Sequence, residues 1–214
     1  MSYICLILSG AALLINGLGL LGRIPARDSG VFNIVIGTFQ LLLAALLAVT
    51  AGGNTELLLG AAGIVLFGIT YLYVGLNAVL SLESAGVGWF CALVAVLAVF
   101  YSAANISKDP FLSVLWLSWA VLWSLFFLIL AGGKPSLSAF TGWAAVLAGQ
   151  ITTTAPALLG LSGAWPAGWF PAGITAVVIA GLFAAALVIS KSGGSRNPAG
   201  PGPVPAAVAE PVSA

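Results

Sequence analysis

The sequence predicts an all-α integral membrane protein of about seven transmembrane helices with a disordered C-terminal tail, and three observations lead there. Hydrophobic residues make up 61% of the chain and charged residues only 5%, whereas a soluble domain carries roughly 25% charged residues. The mean hydropathy is +1.18. Apolar runs long enough to cross a hydrocarbon core of about 30 Å, which takes roughly 20 residues, recur along the chain. The short connections between them hold nearly all the charges.

The first run, 3–22, starts after Met1-Ser2 with no basic stretch before it, so it reads as a retained span and not as a cleaved signal peptide. The second, 31–51, follows Arg23 and Arg27 and holds Gln40 with the small residues Ala44, Ala45 and Ala48. The third, 57–82, lies between Glu56 and Glu83, which read as solvated end charges. It contains Gly60, Gly63, Gly68, Thr70 and Asn77. Small residues of this kind let helices approach closely in a membrane. The fourth, 87–104, holds Cys91; like Cys5 in the first, it reads as a small hydrophobe and not half of a disulfide. Lys108 precedes the fifth, 111–131, which contains Ser118 and Ser124, and Lys134 precedes the sixth, 140–161, with Gln150 and Thr152-Thr153-Thr154. The seventh spans 168–190. From Lys191 the chain turns to Gly, Pro, Ala and Ser with little to bury, so 1–190 is the predicted membrane domain and 191–214 a disordered tail.

Charge sets the expected orientation. With seven spans, Arg23, Arg27, Lys134, Lys191 and Arg196 share one side and Lys108 lies on the other; with six, the sides tie at three each. The positive-inside rule therefore favours seven spans, an external N-terminus and a cytoplasmic tail. Net charge is +1 and the basic residues are scattered, which argues against nucleic acid as a partner.

The available chemistry is narrow. Histidine is absent, which excludes the histidine-based hydrolase arrangements. No metal site can be composed from His, Cys and carboxylate clusters, and no span holds the lysine a retinal Schiff base needs. No carboxylate or basic residue sits near the middle of a span, where proton- and sodium-coupled transporters usually place an ionisable group. The chain is not set up for catalysis and needs no cofactor. Neutral polar groups occupy the spans instead. Ser, Thr and Asn often bond across helices or back to their own backbone, but a free amide in hydrocarbon costs several kcal/mol, so Asn16 and Asn77 should each have a partner.

The fifth span contains Trp116-Leu117-Ser118-Trp119-Ala120-Val121-Leu122-Trp123. Its tryptophans fall at i, i+3 and i+7 and share one helix face. Membrane tryptophan usually sits near the headgroups, so a mid-span stripe either packs against protein or lines a path. Both readings remain open at this point.

Asn16-Gly17, Val31-Phe32-Asn33 and Gly37 resemble the AmiS/UreI family of urea and amide channels. So do Phe67-Gly68-Ile69-Thr70-Tyr71-Leu72-Tyr73 followed by Asn77, the tryptophan segment, and Phe140-Thr141-Gly142-Trp143 with Pro156. The resemblance runs in order over roughly residues 1–160. It implies a six-helix channel bundle enclosing a narrow pore, six protomers in a ring, and here one extra C-terminal span. It further implies pore constrictions at Trp116, Trp119, Trp123, Leu122, Phe67 and Tyr71, with Leu6 and Leu13 on the pore side of the first helix and Asn16 and Asn77 at family polar positions. A family glutamate in the sixth helix aligns with Ala148, and polar Gln150, two positions on, is the candidate pore-lining residue of that helix.

The implied function is passive passage of urea or short aliphatic amides such as acetamide and formamide across a bacterial inner membrane, feeding a cytoplasmic amidase or urease. A planar amide can slide between aromatic faces; an ion would lose its solvation there. Members gated by acid carry histidines in their outer loops, so this chain, with none, matches the amide-channel branch. An ion-coupled transporter and a non-transporting membrane scaffold are the rival readings.

Overall fold

The computed structural model describes residues 2–193. It is built of α1 (Ser2–Leu20), α2 (Ala26–Thr50), α3 (Thr55–Leu80), α4 (Ala85–Asn105), α5 (Pro110–Leu130), α6 (Ser138–Thr152), α7 (Thr154–Leu161) and α8 (Trp169–Gly193), with a 3-10 turn at Pro135–Leu137. Among the described residues, seven helical stretches are long and apolar enough to cross a membrane, α6 and α7 together forming the sixth. Helix is what a bilayer demands of such runs, since only internal hydrogen bonds satisfy the backbone there. The tail expected from Lys191 lies almost wholly outside the described residues.

Two starts are written in the sequence as caps. The Asn54 side chain accepts the backbone N–H groups of Glu56 and Leu57 at 2.9 and 3.1 Å and opens α3. Asp109 accepts from the Leu112 N–H at 2.9 Å, with Pro110 at the first position of α5; both are standard ways of using the unpaired first-turn amides. α2 starts five residues before the expected run because Ala26, Arg27 and Asp28 are helical beyond the apolar stretch.

The sixth span is not the continuous helix expected over 140–161. It breaks at Thr153, whose φ of −126° and ψ of −69° leave the helical region. Pro156 is the physical reason: it has no N–H for the Thr152 carbonyl, and its ring crowds that carbonyl.

Glycines set which helices meet. A Cβ on Gly75 of α3 would lie 2.6 Å from the Gly30 carbonyl oxygen and 2.7 Å from the Ile34 nitrogen of α2, so the two backbones are in contact. Gly17 of α1 and Gly142 of α6 meet the same way, with 2.7 Å from a Gly17 Cβ to the Gly142 oxygen. Gly60, expected to serve helix approach, has open space beside it and borders a cavity. Hydroxyls join α4 to α5, Ser102 Oγ lying 3.0 Å from Ser113 Oγ. α8 packs on α5 and α6 through a narrow stripe, Ala172, Ile179 and Ala186, and leaves Phe170 and Val177 at 82% and 74% exposure for lipid. Cys5 and Cys91 are buried, unpaired thiols.

Candidate functional site

Three helices each present one face to the same axis. On α1, Ser2, Leu6 and Ser9 border one cavity, and Leu13, Asn16 and Leu20 border a second. On α3 the series passes from Gly63 and Phe67 to Tyr71, Val74 and Asn77; on α5 it passes from Leu112, Trp116 and Trp119 to Trp123, Phe126 and Leu130. Spacings of three and four keep each series on one helix face. The cavity at the Lys108 end measures about 420 Å³ and the one at the Ala26 end about 270 Å³.

Aromatic rings separate them. Phe67 stacks on Trp123 with centroids 4.6 Å apart and planes 22° apart, meets Trp119 edge-on at 5.2 Å and 88°, and lies 5.5 Å from Trp116. Trp116 in turn stacks on Tyr101 at 4.2 Å and 16°. Gly63 makes room for that indole, since a Cβ there would come within 2.9 Å of it. The tryptophans at 116, 119 and 123 thus share one buried face, as their spacing predicts.

Each inner indole has its polar atom satisfied. Trp119 Nε1 donates to Thr152 Oγ1 at 3.1 Å, and Trp123 Nε1 donates to Thr70 Oγ1 at 3.3 Å. The threonine hydroxyls donate back to the Gly149 and Leu66 carbonyls of their own helices, at 3.3 and 2.8 Å, leaving a lone pair free for the indole. With the N–H groups held in this way, the rings present only apolar edges and π faces to one another.

The remaining expected residues are placed less uniformly. Asn16 and Asn33 exchange amide hydrogen bonds, 3.0 and 2.6 Å, and Ser29 Oγ donates to Asn16 Oδ1 at 3.2 Å. Asn16 therefore has the partner it required. Asn77, oriented so that its bonds are satisfied, donates from its amide nitrogen to the Glu83 carbonyl at 2.9 Å. Gln150 borders neither cavity. Its Nε2 donates to the Gly10 carbonyl at 2.8 Å and its Oε1 accepts from Thr154 Oγ1 at 2.8 Å, so both its polar ends serve the junction of α1 with the broken sixth span. Leu122 is 2% exposed in the core beside the constriction and also borders neither cavity.

Among the described lining residues, charge is confined to the first cavity. Glu56, Lys108 and Asp109 border the first cavity, and Lys108 Nζ meets Glu56 Oε1 at 2.6 Å, both side chains mostly exposed. The described lining of the second cavity and the aromatic constriction contain no charged residue. Among the described residues, no three His, Cys, Asp or Glu side chains come together as a metal site. Gln40 Oε1, buried beside the constriction, lacks a hydrogen-bond partner, whereas the Tyr71 hydroxyl lies near Ser9. Gln40, Asn33, Thr70 and Thr152 are polar residues at or beside the site that sequence reasoning did not assign to it. A polar residue in mid-span was the available signal for each, shared with many that only pack.

Residues 1–164 match the family described as AmiS/UreI family transporter. The chain belongs to the AmiS/UreI family. Among relatives of this AmiS/UreI protein, a transporter protein named AmiS2 from Rhodococcus erythropolis is 42% identical over 86% of this chain and 94% of its own. An amidate substrates transporter protein from Mycolicibacterium smegmatis is 41% identical over 94% of each chain. Among solved structures, the crystal structure of the urea channel from the human gastric pathogen Helicobacter pylori superposes with a TM-score of 0.72 at 25% identity, covering 78% of this chain and all of that one. The family match ends before α8, whereas the share of this chain aligned with the M. smegmatis relative reaches into α8. The protein is thus a multi-pass membrane protein of a transporter family.

Proposed function

We propose that this protein is a passive channel for urea and short aliphatic amides, acetamide and formamide among them. The observation that carries the reading is the pair of cavities on one axis, closed from each other by the uncharged contact of Phe67 with Trp119 and Trp123. The names of the relatives, an amidate substrates transporter and a urea channel, support the solute class.

A solute enters the 420 Å³ cavity past the Glu56–Lys108 pair, sheds most of its water, and passes edgewise between the faces of Phe67, Trp119 and Trp123. Stacking replaces part of the lost hydration for a planar neutral molecule. An ion finds no counter-charge and no polar ring at the constriction, so its desolvation is uncompensated. With no ionisable group in the constriction, nothing there couples passage to a proton or sodium gradient.

By the charge distribution, the Lys108 end faces outward and the Ala26 end faces the cytoplasm of a bacterial inner membrane. The family resemblance supports a homo-hexamer in which each protomer holds its own path, with lipid against the exposed apolar faces. Stopped-flow light scattering on proteoliposomes tests the function: acetamide and urea should enter far faster than into empty vesicles, without an ion gradient. Entry no faster than in empty vesicles refutes it and favours a scaffold; entry only with a proton or sodium gradient favours a coupled transporter.

A further inference from the structure

We infer that Gln40 is the residue by which this channel reads the N–H group of its solute, an inference that rests on the channel reading above. Gln40 lies on α2, wholly buried, in the wall of the cavity on the Lys108 side of the constriction. Both hydrogens of its amide nitrogen are committed to α1: Nε2 donates to the Cys5 carbonyl at 2.8 Å and to Ser9 Oγ at 2.8 Å. A carbonyl oxygen can only accept, so the Cys5 contact fixes which end of the Gln40 side chain is nitrogen.

The oxygen end is therefore fixed as well. Gln40 Oε1 is buried and has no hydrogen-bond partner. A buried acceptor left in this state is costly, and such groups in native proteins call for an explanation. Gln40, Cys5 and Ser9 border the same cavity as Phe67 and Trp119, so the side chain that carries the unmatched acceptor belongs to the wall at the approach to the aromatic contact. Its complement is a small donor. An amide or urea N–H supplies one while the solute's flat face enters the rings. A single neutral oxygen is too little to replace the hydration shell of a cation. The orientation is rigid because two hydrogen bonds hold the side chain, which is what a selective contact requires.

Three isomers test this on the unmodified protein, since propionamide, N-methylacetamide and N,N-dimethylformamide share one formula but offer two, one and no N–H groups. In proteoliposomes, after subtraction of empty-vesicle entry, the first two should pass at similar rates and the third about fivefold slower or more, the loss of one neutral hydrogen bond. Equal channel-mediated rates for propionamide and N,N-dimethylformamide overturn the inference. The second arm is Gln40→Met, checked for assembly by size-exclusion chromatography, with Gln40→Glu as the variant that keeps an acceptor oxygen. Acetamide entry should fall about fivefold in Gln40→Met with water entry unchanged, and recover in Gln40→Glu at pH 5. An unchanged acetamide rate, or water and acetamide falling together, assigns Gln40 to packing alone and overturns the inference. Wild-type acetamide entry at the empty-vesicle rate is a different result: it removes the channel reading itself and the inference with it.

Discussion

The ring of Phe67 lies against the Trp123 indole, 4.6 Å between centroids and 22° between planes, so that a residue bordering one cavity covers a residue bordering the other. This contact and the edge-on meeting with Trp119 are what keep the two cavities apart. Phe67→Ala should join them. Water and glycerol permeabilities then rise, and selectivity for acetamide over glycerol falls about three- to tenfold, the worth of one aromatic contact. Stopped-flow comparison with wild type checks it; unchanged selectivity in an assembled variant places the barrier elsewhere.

Trp119→Ala should alter the rate or selectivity of amide entry while the protein still folds and assembles as wild type does, because the indole is buried at the constriction and not at an exposed face. Unchanged acetamide and glycerol rates in the assembled variant count against a pore role for this side chain.

Thr152→Val leaves the Trp119 N–H without its acceptor while preserving the side chain's shape. A buried donor stripped of its partner costs about 1–3 kcal/mol. Thermal unfolding in detergent should show the loss, and Trp119→Phe combined with Thr152→Val should restore much of it. A double variant no more stable than Thr152→Val would mean that the hydrogen bond is not the source of the loss.

Asn33→Leu breaks the reciprocal amide pair and strands Asn16 beside the second cavity. The expected destabilisation is again about 1–3 kcal/mol, and replacing both asparagines by leucine should cost less than replacing one. Equal stability for wild type and the single variant would remove the pair from any structural role.

Acetamide entry should stay level between about pH 5 and pH 7.5, because the chain has no histidine and no other side chain with an ordinary pKa inside that window. A steep change of rate across that interval would require an ionisable gate among the end carboxylates, Glu56 and Asp109 at the first cavity's mouth being the ones to replace first.

Much of the fold was legible because each span is a local statement. The i, i+3, i+7 spacing of Trp116, Trp119 and Trp123 forces a common face, and the structure buries all three. Phe67 and Tyr71 share a face for the same reason. The break at Thr153 departs from the continuous helix expected over 140–161, although its cause, Pro156, stands in the sequence. Gln150 looked like a solute contact but is used up by Gly10 and Thr154, whereas Gln40, equally polar and equally mid-span, keeps an unmatched oxygen. Nothing in the neighbouring residues separates those two glutamines, since the Gln40 partners lie 35 and 31 residues away, at Cys5 and Ser9.

The sequence by itself determined that the chain lives in a membrane, which of its runs are long and apolar enough to cross it, and which residues share a face of each helix. Hydrophobicity and helical period suffice for that, because both act within one segment. Tertiary structure decided which face meets which. Lipid tails are as apolar as a protein core, so Leu6 at a cavity, Leu122 in the core and Leu42 facing outward carry the same local signal. Backbone approach at Gly30, Gly75, Gly17 and Gly142 selected the helix pairs, and only those pairs brought Thr152 to Trp119, Asn33 to Asn16 and Gln40 to the approach of the aromatic contact.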